Sequence, residues 1–280
     1  MKIALLSGKG GTGKTLVSVN LARVAGQAVY LDCDVEEPNG HLFFKPQIHE
    51  VKAITVKIPQ VDQDKCDGCR LCVDFCNFNA LAYIQDQLLV FEEICHSCGG
   101  CRLVCPQGAI TEKDKAIGRL ERGQSDQVRV HTGIMNPGEV SGTPLVDALL
   151  AGLDQEADLP VFIDCPPGSG CLVMDTVAGA DYCVLVAEPT IFGAHNLEMV
   201  TRLVRLMDKP LGVVLNKYQD GDNPIEPFCQ KEGIPILAKI PFDHHLGLIN
   251  SKGQIIVDHD ASYRDLFQDL LQRIEEVVRS

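Results

Sequence analysis

The chain has 280 residues, 45% of them hydrophobic, so it can form one large domain or two modest ones. No apolar run approaches the ~20 residues that a membrane-spanning helix needs, which argues against membrane insertion. The formal net charge of −13 makes nucleic acid an unexpected partner, because most of the surface would repel a phosphate backbone. Glycines interrupt the apolar start of the chain before it reaches the length of a signal peptide core, so we expect a cytoplasmic protein.

Short apolar runs alternate along the chain with longer amphipathic stretches. Unalternated runs of this kind are typical of buried parallel strands, and we predict strands at Ile3–Ser7, Ala28–Asp32, Val128–Thr132, Val161–Asp164, Tyr182–Ala187, Leu211–Asn216 and Pro235–Ile240. Apolar residues three and four apart predict helices at Lys14–Val24, Val146–Leu153, Ala194–Met207 and Ser262–Val278. The alternation predicts an α/β fold with a doubly wound, mostly parallel sheet.

One segment breaks this alternation, because cysteines recur every three or four residues between Val61 and Glu112. The α/β pattern resumes after it, as expected for a domain inserted into a loop after the second strand. We predict a small α+β insert of the bacterial ferredoxin type at residues 61–112, and a main domain of residues 1–60 and 113–280. The charged stretch Lys113–Gln127 is predicted to be the return linker.

A glycine-rich segment separates the first predicted strand from the first predicted helix. It reads Gly8-Lys9-Gly10-Gly11-Thr12-Gly13-Lys14-Thr15 and fits the phosphate-loop pattern G-x4-G-K-[ST]. Glycines let backbone N–H groups turn toward phosphate oxygens, Lys14 would reach the β and γ phosphates, and the Thr15 hydroxyl would bind Mg²⁺. The glycines also fit a dinucleotide fingerprint with Asp32 as the ribose-binding acid, but that alternative leaves Lys14 and Thr15 unexplained.

Three later segments offer the remaining parts of a nucleotide hydrolase. Asp164 ends an apolar strand in the Walker B manner and would hold the magnesium through water. Asp34 offers a carboxylate for the attacking water. Asn216 and Lys217 end a strand where the base would lie, and Gln219 stands where a guanine site would need aspartate, so adenine and hence ATP are favoured.

Thirteen cysteines in a chain expected to be cytoplasmic favour metal binding over disulfides. Eight of them form two similar runs, Cys66-x2-Cys69-x2-Cys72-x3-Cys76 and Cys95-x2-Cys98-x2-Cys101-x3-Cys105-Pro106. In two-cluster ferredoxins the fourth cysteine of each run ligates the other cluster. The runs therefore predict one [4Fe–4S] cluster on Cys66, Cys69, Cys72 and Cys105, and a second on Cys95, Cys98, Cys101 and Cys76. Zinc seldom uses eight cysteines in this grouping.

With Lys9 inside the loop, the segment resembles the deviant Walker A motif of the MinD/ParA/Mrp and nitrogenase iron protein class, and most of all MinD-superfamily ATPases with an inserted ferredoxin. Further matching residues are Asp34 with Asn39, Asp164-Cys165-Pro166-Pro167-Gly168, Ile240-Pro241-Phe242-Asp243, and the run Glu188-Pro189-Thr190 to Gly193-Ala194-His195. The resemblance implies that Lys9 reaches the nucleotide of a dimer partner, and that Pro241 and Asp243 lie beside the adenine.

The resemblance implies an ATP-hydrolysing switch that works as a homodimer or as a heterodimer with a related ATPase. Three roles compete: ATP-gated electron transfer to a redox partner protein, delivery of iron–sulfur clusters or metal, and MinD-like positioning with redox sensing. Eight dedicated cysteines favour the first role, because clusters held in this way are hard to give away. Cys171 follows Asp164 at the spacing of a cluster ligand in the nitrogenase iron protein, but it would supply only two thiolates to a dimer.

Overall fold

In this computed structural model the described residues are 1–153 and 158–279. Within them, nine strands form one sheet: β1 (Lys2–Leu6), β2 (Ala28–Asp32), β3 (Gln47–Val61), β6 (Ile110–Ser125), β7 (Val128–Met135), β8 (Val161–Asp164), β9 (Tyr182–Ala187), β10 (Leu211–Tyr218) and β11 (Ile236–Pro241). A separate hairpin contains β4 (Leu81–Ile84) and β5 (Gln87–Val90). The order in the large sheet is β11-β10-β9-β1-β8-β2-β7-β6-β3.

The helices of the described residues flank this sheet or belong to the cysteine-rich segment. They are α1 (Lys14–Val24), α2 (Gly40–Phe44), α3 (Leu71–Phe75), α4 (Gly100–Leu103), α5 (Thr143–Ala151), α6 (Cys171–Ala178), α7 (Ile191–Leu206), α8 (Ile225–Glu232), α9 (His244–Ser251) and α10 (Ala261–Arg279). None of the helices in the described ranges combines the length and the apolar character needed to cross a bilayer.

The strands from β11 to β7 pair in parallel, and only the β7–β6 and β6–β3 pairs are antiparallel. Alternate residues of β1 face opposite layers: Ile3 and Leu5 join the core under α1 and α10, while Ala4 and Leu6 join the core under α5, α6 and α7. The predicted doubly wound, mostly parallel α/β fold is confirmed. All seven predicted strands are present, each within three residues of its predicted ends.

The prediction of a linker at Lys113–Gln127 is wrong, because most of this stretch belongs to β6. β6 pairs antiparallel with β3 over almost its whole length, so the two strands form a long stalk at one edge of the sheet. The first half of β6 pairs only with the edge strand β3, and β6 carries charged residues through most of its length, so it lacks the apolar run of a central strand. Because β3 and β6 run through both predicted domain boundaries, the division at residues 61 and 112 stays a prediction.

The cysteine-rich segment lies at the far end of the stalk. Its short helices α3 and α4 and its hairpin β4–β5 enclose a small core of Cys72, Leu81, Leu88 and Ile110. Among the described residues, nine partly buried ones pack against this core, and four of them are the cysteines Cys66, Cys76, Cys101 and Cys105. The small core therefore combines aliphatic and cysteine side chains.

Candidate functional site

A cavity of about 1060 Å³ opens at the carboxyl ends of the central parallel strands. Its lining includes most of the nucleotide-site residues predicted from the sequence: Gly10, Gly11, Thr12, Gly13, Lys14, Thr15, Asp34, Asn216, Lys217, Pro241 and Asp243. Asp164 lies directly behind it, since β2 and β8 pair in register and place Asp32 beside Asp164. Gly8 and Lys9, the first two residues of the loop, do not line the cavity.

The loop before α1 is shaped to receive an anion. Gly13 caps α1 in the left-handed region, with φ 93°, and no side chain caps the first turn, so the N–H groups of that turn are free to face phosphate. Asn216 donates its side-chain N–H to the Thr12 carbonyl at 2.7 Å and so fixes the loop to β10. The Thr12 hydroxyl is buried and has no hydrogen-bond partner among the described residues, as expected of a group that contacts a ligand.

Gly13→Ala should abolish nucleotide binding, because a Cβ at position 13 would lie 2.1 Å from the Asn216 amide nitrogen on a left-handed backbone. Titration calorimetry with ATP and Mg²⁺ measures the loss. Gly233→Ala is the matched control, since Gly233 also has a positive φ but lies at the end of α8 with open space around its Cα. Equal ATP affinity in the Gly13 variant would contradict the phosphate-loop assignment.

Lys14 is buried among carboxylates at the bottom of the cavity. Its Nζ lies 2.5 Å from Asp164 Oδ1 and 3.7 Å from Asp34 Oδ2. Burial alone would lower the pKa of Lys14, but the charge and hydrogen bond of Asp164 and the charge of Asp34 outweigh it, so the pKa is raised. The lysine therefore stays positively charged where the terminal phosphates of a nucleotide would lie.

Two of the acidic side chains near Lys14, Asp34 and Asp32, have elevated pKa values. Burial raises the pKa of Asp34 to about 6, against the opposing charge of Lys14. Burial, followed by the charge of Asp164, raises the pKa of Asp32 to about 8. Since burial and like charge disfavour the ionised form, bound Mg²⁺ would relieve this crowding of carboxylates.

Two residues that support these carboxylates were not identified from the sequence as site residues in their own right. The buried Tyr30 donates its hydroxyl to Asp164 Oδ2 at 2.7 Å and so orients the Walker B acid. Asp32 accepts the N–H of Gly40 at 2.9 Å and that of Asp34 at 3.3 Å, which holds the segment between β2 and α2 in place. The sequence could have indicated Asp32, because it is an acidic residue at the end of a predicted parallel strand. Tyr30 lies inside the apolar run of the same strand, and no local sequence pattern indicates a role for it in the site.

Lys9 is engaged within its own chain. Its Nζ lies 2.9 Å from Glu188 Oε2, and the other oxygen of Glu188 pairs with Lys217. Burial would raise the pKa of Glu188, but hydrogen bonds from both lysines lower it. The structure thus places Lys9 against Glu188, and its reach toward a partner's nucleotide stays a prediction.

The residues predicted near the adenine have structural roles in the described chain. Lys217 also donates to the Gly11 carbonyl at 3.0 Å, which adds a second tie between β10 and the loop. Asp243 caps α9 by accepting the His245 N–H at 2.7 Å and accepts the Tyr263 hydroxyl at 2.9 Å. Pro241 and Asp243 border the cavity, and their contact with adenine stays a prediction.

The eight run cysteines separate into two groups of four around two cavities. One cavity is lined by Cys66, Cys69, Cys72 and Cys105, and the other by Cys76, Cys95, Cys98 and Cys101. Burial raises the pKa of Cys72 and raises that of Cys101 to about 11, so ligation would have to supply the energy to deprotonate them. Within residues 1–153 and 158–279, no three His, Cys, Asp or Glu side chains are spaced to hold a single metal ion.

The donor chemistry of each cavity fits a [4Fe–4S] cluster, which takes four thiolates and is larger than a single ion. Asn77 follows Cys76 where proline follows Cys105, and the Cys76 sulfur accepts the Ala80 N–H at 3.4 Å. Hydrogen bonds to sulfur tune the potential of such clusters. Cys171 is exposed at the rim of the nucleotide cavity, while Cys33, Cys183 and Cys229 are buried.

The comparisons with known proteins agree with this geometry. An uncharacterised protein of Methanocaldococcus jannaschii is 27% identical over 283 residues, covering 99% of this chain and 96% of the relative. An iron-sulfur cluster carrier protein of Pyrococcus horikoshii is 23% identical over 300 residues, covering 99% of this chain and 87% of the relative. The fold is similar to that of the cell division ATPase MinD of Pyrococcus furiosus, with a TM-score of 0.60, 21% identity, and coverage of 99% and 98% of the two chains. The profile of the CobQ/CobB/MinD/ParA nucleotide binding domain matches residues 3–256, and the chain belongs to this family.

Proposed function

We propose that this MinD/ParA-like ATPase is a dimeric switch that couples ATP hydrolysis to two [4Fe–4S] clusters and gates electron transfer to a partner protein. The observation that carries the proposal is the presence, in one chain, of a phosphate-loop cavity and two four-cysteine cavities joined by a continuous stalk. When bound, each cluster would supply one-electron redox chemistry. The working dimer is made of two copies or of this chain and a related ATPase.

Different residues of the nucleotide cavity bind the phosphates, bind the metal ion and orient the attacking water. Backbone N–H groups of the loop bind the phosphates, and Lys14 neutralises the charge on the terminal ones. Thr15 and Asp164 are the residues that would hold Mg²⁺, Thr15 through its hydroxyl and Asp164 through water, and the ion would neutralise phosphate charge. Asp34 lies 3.7 Å from Lys14 and accepts a hydrogen bond from the attacking water, which orients it toward the γ phosphate.

The cysteine cavities support crossed ligation, in which Cys105 completes the set of Cys66, Cys69 and Cys72, and Cys76 completes the other. A cluster held by four thiolates from two separate chain segments dissociates only when the iron–thiolate bonds to both segments are broken. This favours permanent redox centres over a cargo.

Delivery of clusters is the second candidate, and it is favoured by the relative from Pyrococcus horikoshii that is named as a cluster carrier. Anaerobic incubation of the loaded protein with an apo-ferredoxin, with and without ATP and Mg²⁺, separates the two functions. Electron transfer predicts that both clusters stay with this chain in either condition. Transfer of iron and sulfide to the acceptor on addition of ATP would instead support the carrier.

Lys9→Ala should still bind ATP yet stay monomeric and lose at least ~10²-fold in kcat, because a lysine supplied to the partner's nucleotide stabilises transition-state charge. Steady-state ATPase assays with light scattering measure both effects. Lys239→Ala is the matched control, since it also removes a half-exposed lysine paired with a glutamate, but one that does not line the nucleotide cavity. Unchanged turnover in Lys9→Ala would contradict the dimer model.

A further inference from the structure

A largely buried lysine on the stalk touches both functional regions of the chain. Lys115 of β6 has a side chain that is 19% exposed, and its Nζ donates to the Glu92 carbonyl at 3.0 Å. The same Nζ lies 2.8 Å from Oε2 of Glu139, whose side chain is 11% exposed. An ion pair this shielded from water is weakened by salt far less than the exposed pairs on the rest of the stalk.

One end of this contact lies beside the second cysteine cavity. Glu92 begins the short 3-10 turn Glu92–Ile94, and Cys95 is its C-cap. Cys95 lines the cavity that also includes Cys76 and Cys98. A shift of the Glu92 carbonyl therefore displaces the backbone that carries the first cysteine of this run.

The other end lies beside the nucleotide cavity. Glu139 is followed directly by Val140, Ser141, Gly142 and Thr143, which line that cavity. The loop is also fastened to the stalk through Asn136, whose backbone N–H donates to Ile117 at 2.8 Å and whose side chain donates to Ala116 at 3.1 Å. Because of these contacts, a displacement of residues 140–143 would also displace the part of the stalk that contains Lys115.

We propose that Lys115 transmits the state of the nucleotide cavity to the site formed by Cys76, Cys95, Cys98 and Cys101, through Glu139 on one side and the Glu92 carbonyl on the other. Lys115 is a positioning residue: it touches neither nucleotide nor cluster. A change in the Lys115–Glu139 distance also changes the electrostatic potential at the cysteine cavity, and a more positive potential favours the more reduced form of a cluster. The inference rests on the proposed function, since it assigns a cluster to these cysteines.

Hydrogen–deuterium exchange of the full-length protein tests the relay without requiring redox activity. We expect ATP with Mg²⁺ to change exchange in the peptide covering residues 92–98, and Lys115→Met to lose more than half of that response. Lys113→Met is the matched control, because Lys113 pairs with the exposed carboxylate of the same Glu92 at 2.6 Å and should keep the response. Glu139→Gln removes the pair from the other side with little change of shape and should match Lys115→Met.

The ATP-induced shift in midpoint potential of the cluster on the Cys95 run gives the second measurement. Lys115→Met should lose more than half of this shift, and the double variant with Glu139→Gln should lose no more than either single variant. A full response in both Lys115→Met and Glu139→Gln, by exchange or by potential, would overturn the relay while leaving the proposed function intact. Absence of any exchange response in the wild-type protein would overturn the relay as well.

Discussion

Cys76→Ser should remove the cluster of the other cysteine run and spare the cluster of its own run. The reason is geometric: Cys76 lines the cavity of Cys95, Cys98 and Cys101, whereas Cys66, Cys69 and Cys72 share theirs with Cys105. We expect the variant to retain about half of the wild-type iron, with the loss confined to one EPR signal, since each [4Fe–4S] cluster needs its full thiolate set.

Cys105→Ser is the reciprocal variant and should lose the opposite signal. Cys69→Ser and Cys98→Ser assign the two signals independently, because each of these cysteines belongs to the cluster of its own run whether ligation is crossed or sequential. If Cys76→Ser spared the cluster of the Cys95 run and removed that of the Cys66 run, ligation would be sequential and the crossed assignment would be wrong.

Asp34→Asn should bind ATP almost as well as the wild-type protein and hydrolyse it ~10²–10⁴-fold more slowly, the range typical for loss of a positioned acid–base group. Asp34 lies at the cavity wall 3.7 Å from the Lys14 ammonium, close enough to contact a water directed at the γ phosphate. Single-turnover hydrolysis measured beside equilibrium ATP binding separates the two effects.

Glu36→Gln provides the control for Asp34, because it removes a carboxylate two residues away on the same loop from an exposed side chain. It should hydrolyse ATP at close to the wild-type rate. A wild-type rate in Asp34→Asn would exclude Asp34 as the residue that orients water, and Asp32, which ends the same strand, would then be the carboxylate to examine.

The sequence predicted the central features of the fold because they depend on local patterns. Buried parallel strands such as Tyr182–Ala187 are continuous apolar runs, and the loop from Gly8 to Thr15 fits a fixed spacing of glycines and lysine. The carboxyl ends of neighbouring parallel strands meet at one edge, so Asp34 and Asp164 could be predicted to lie near the phosphate loop before any contact was known.

The features that were missed depend on contacts between distant parts of the chain. Strand β6 was predicted to be a linker because its many charged residues leave no apolar run. The ion pair of Lys9 with Glu188 joins residues that are 179 positions apart in the sequence. The hydrogen bond from Tyr30 to Asp164 likewise joins two neighbouring strands, β2 and β8, that are far apart in the sequence. Lys115 is one lysine among many in a charged stretch, and only the folded stalk shows that it contacts Glu139.

The most direct test of coupling between ATP and the clusters is an anaerobic redox titration of both clusters in nucleotide-free protein, with ATP and Mg²⁺, and with ADP and Mg²⁺. If the ATPase gates electron transfer, the midpoint potential of at least the cluster on Cys76, Cys95, Cys98 and Cys101 shifts with ATP and returns with ADP. Identical potentials for both clusters in all three states would contradict the account.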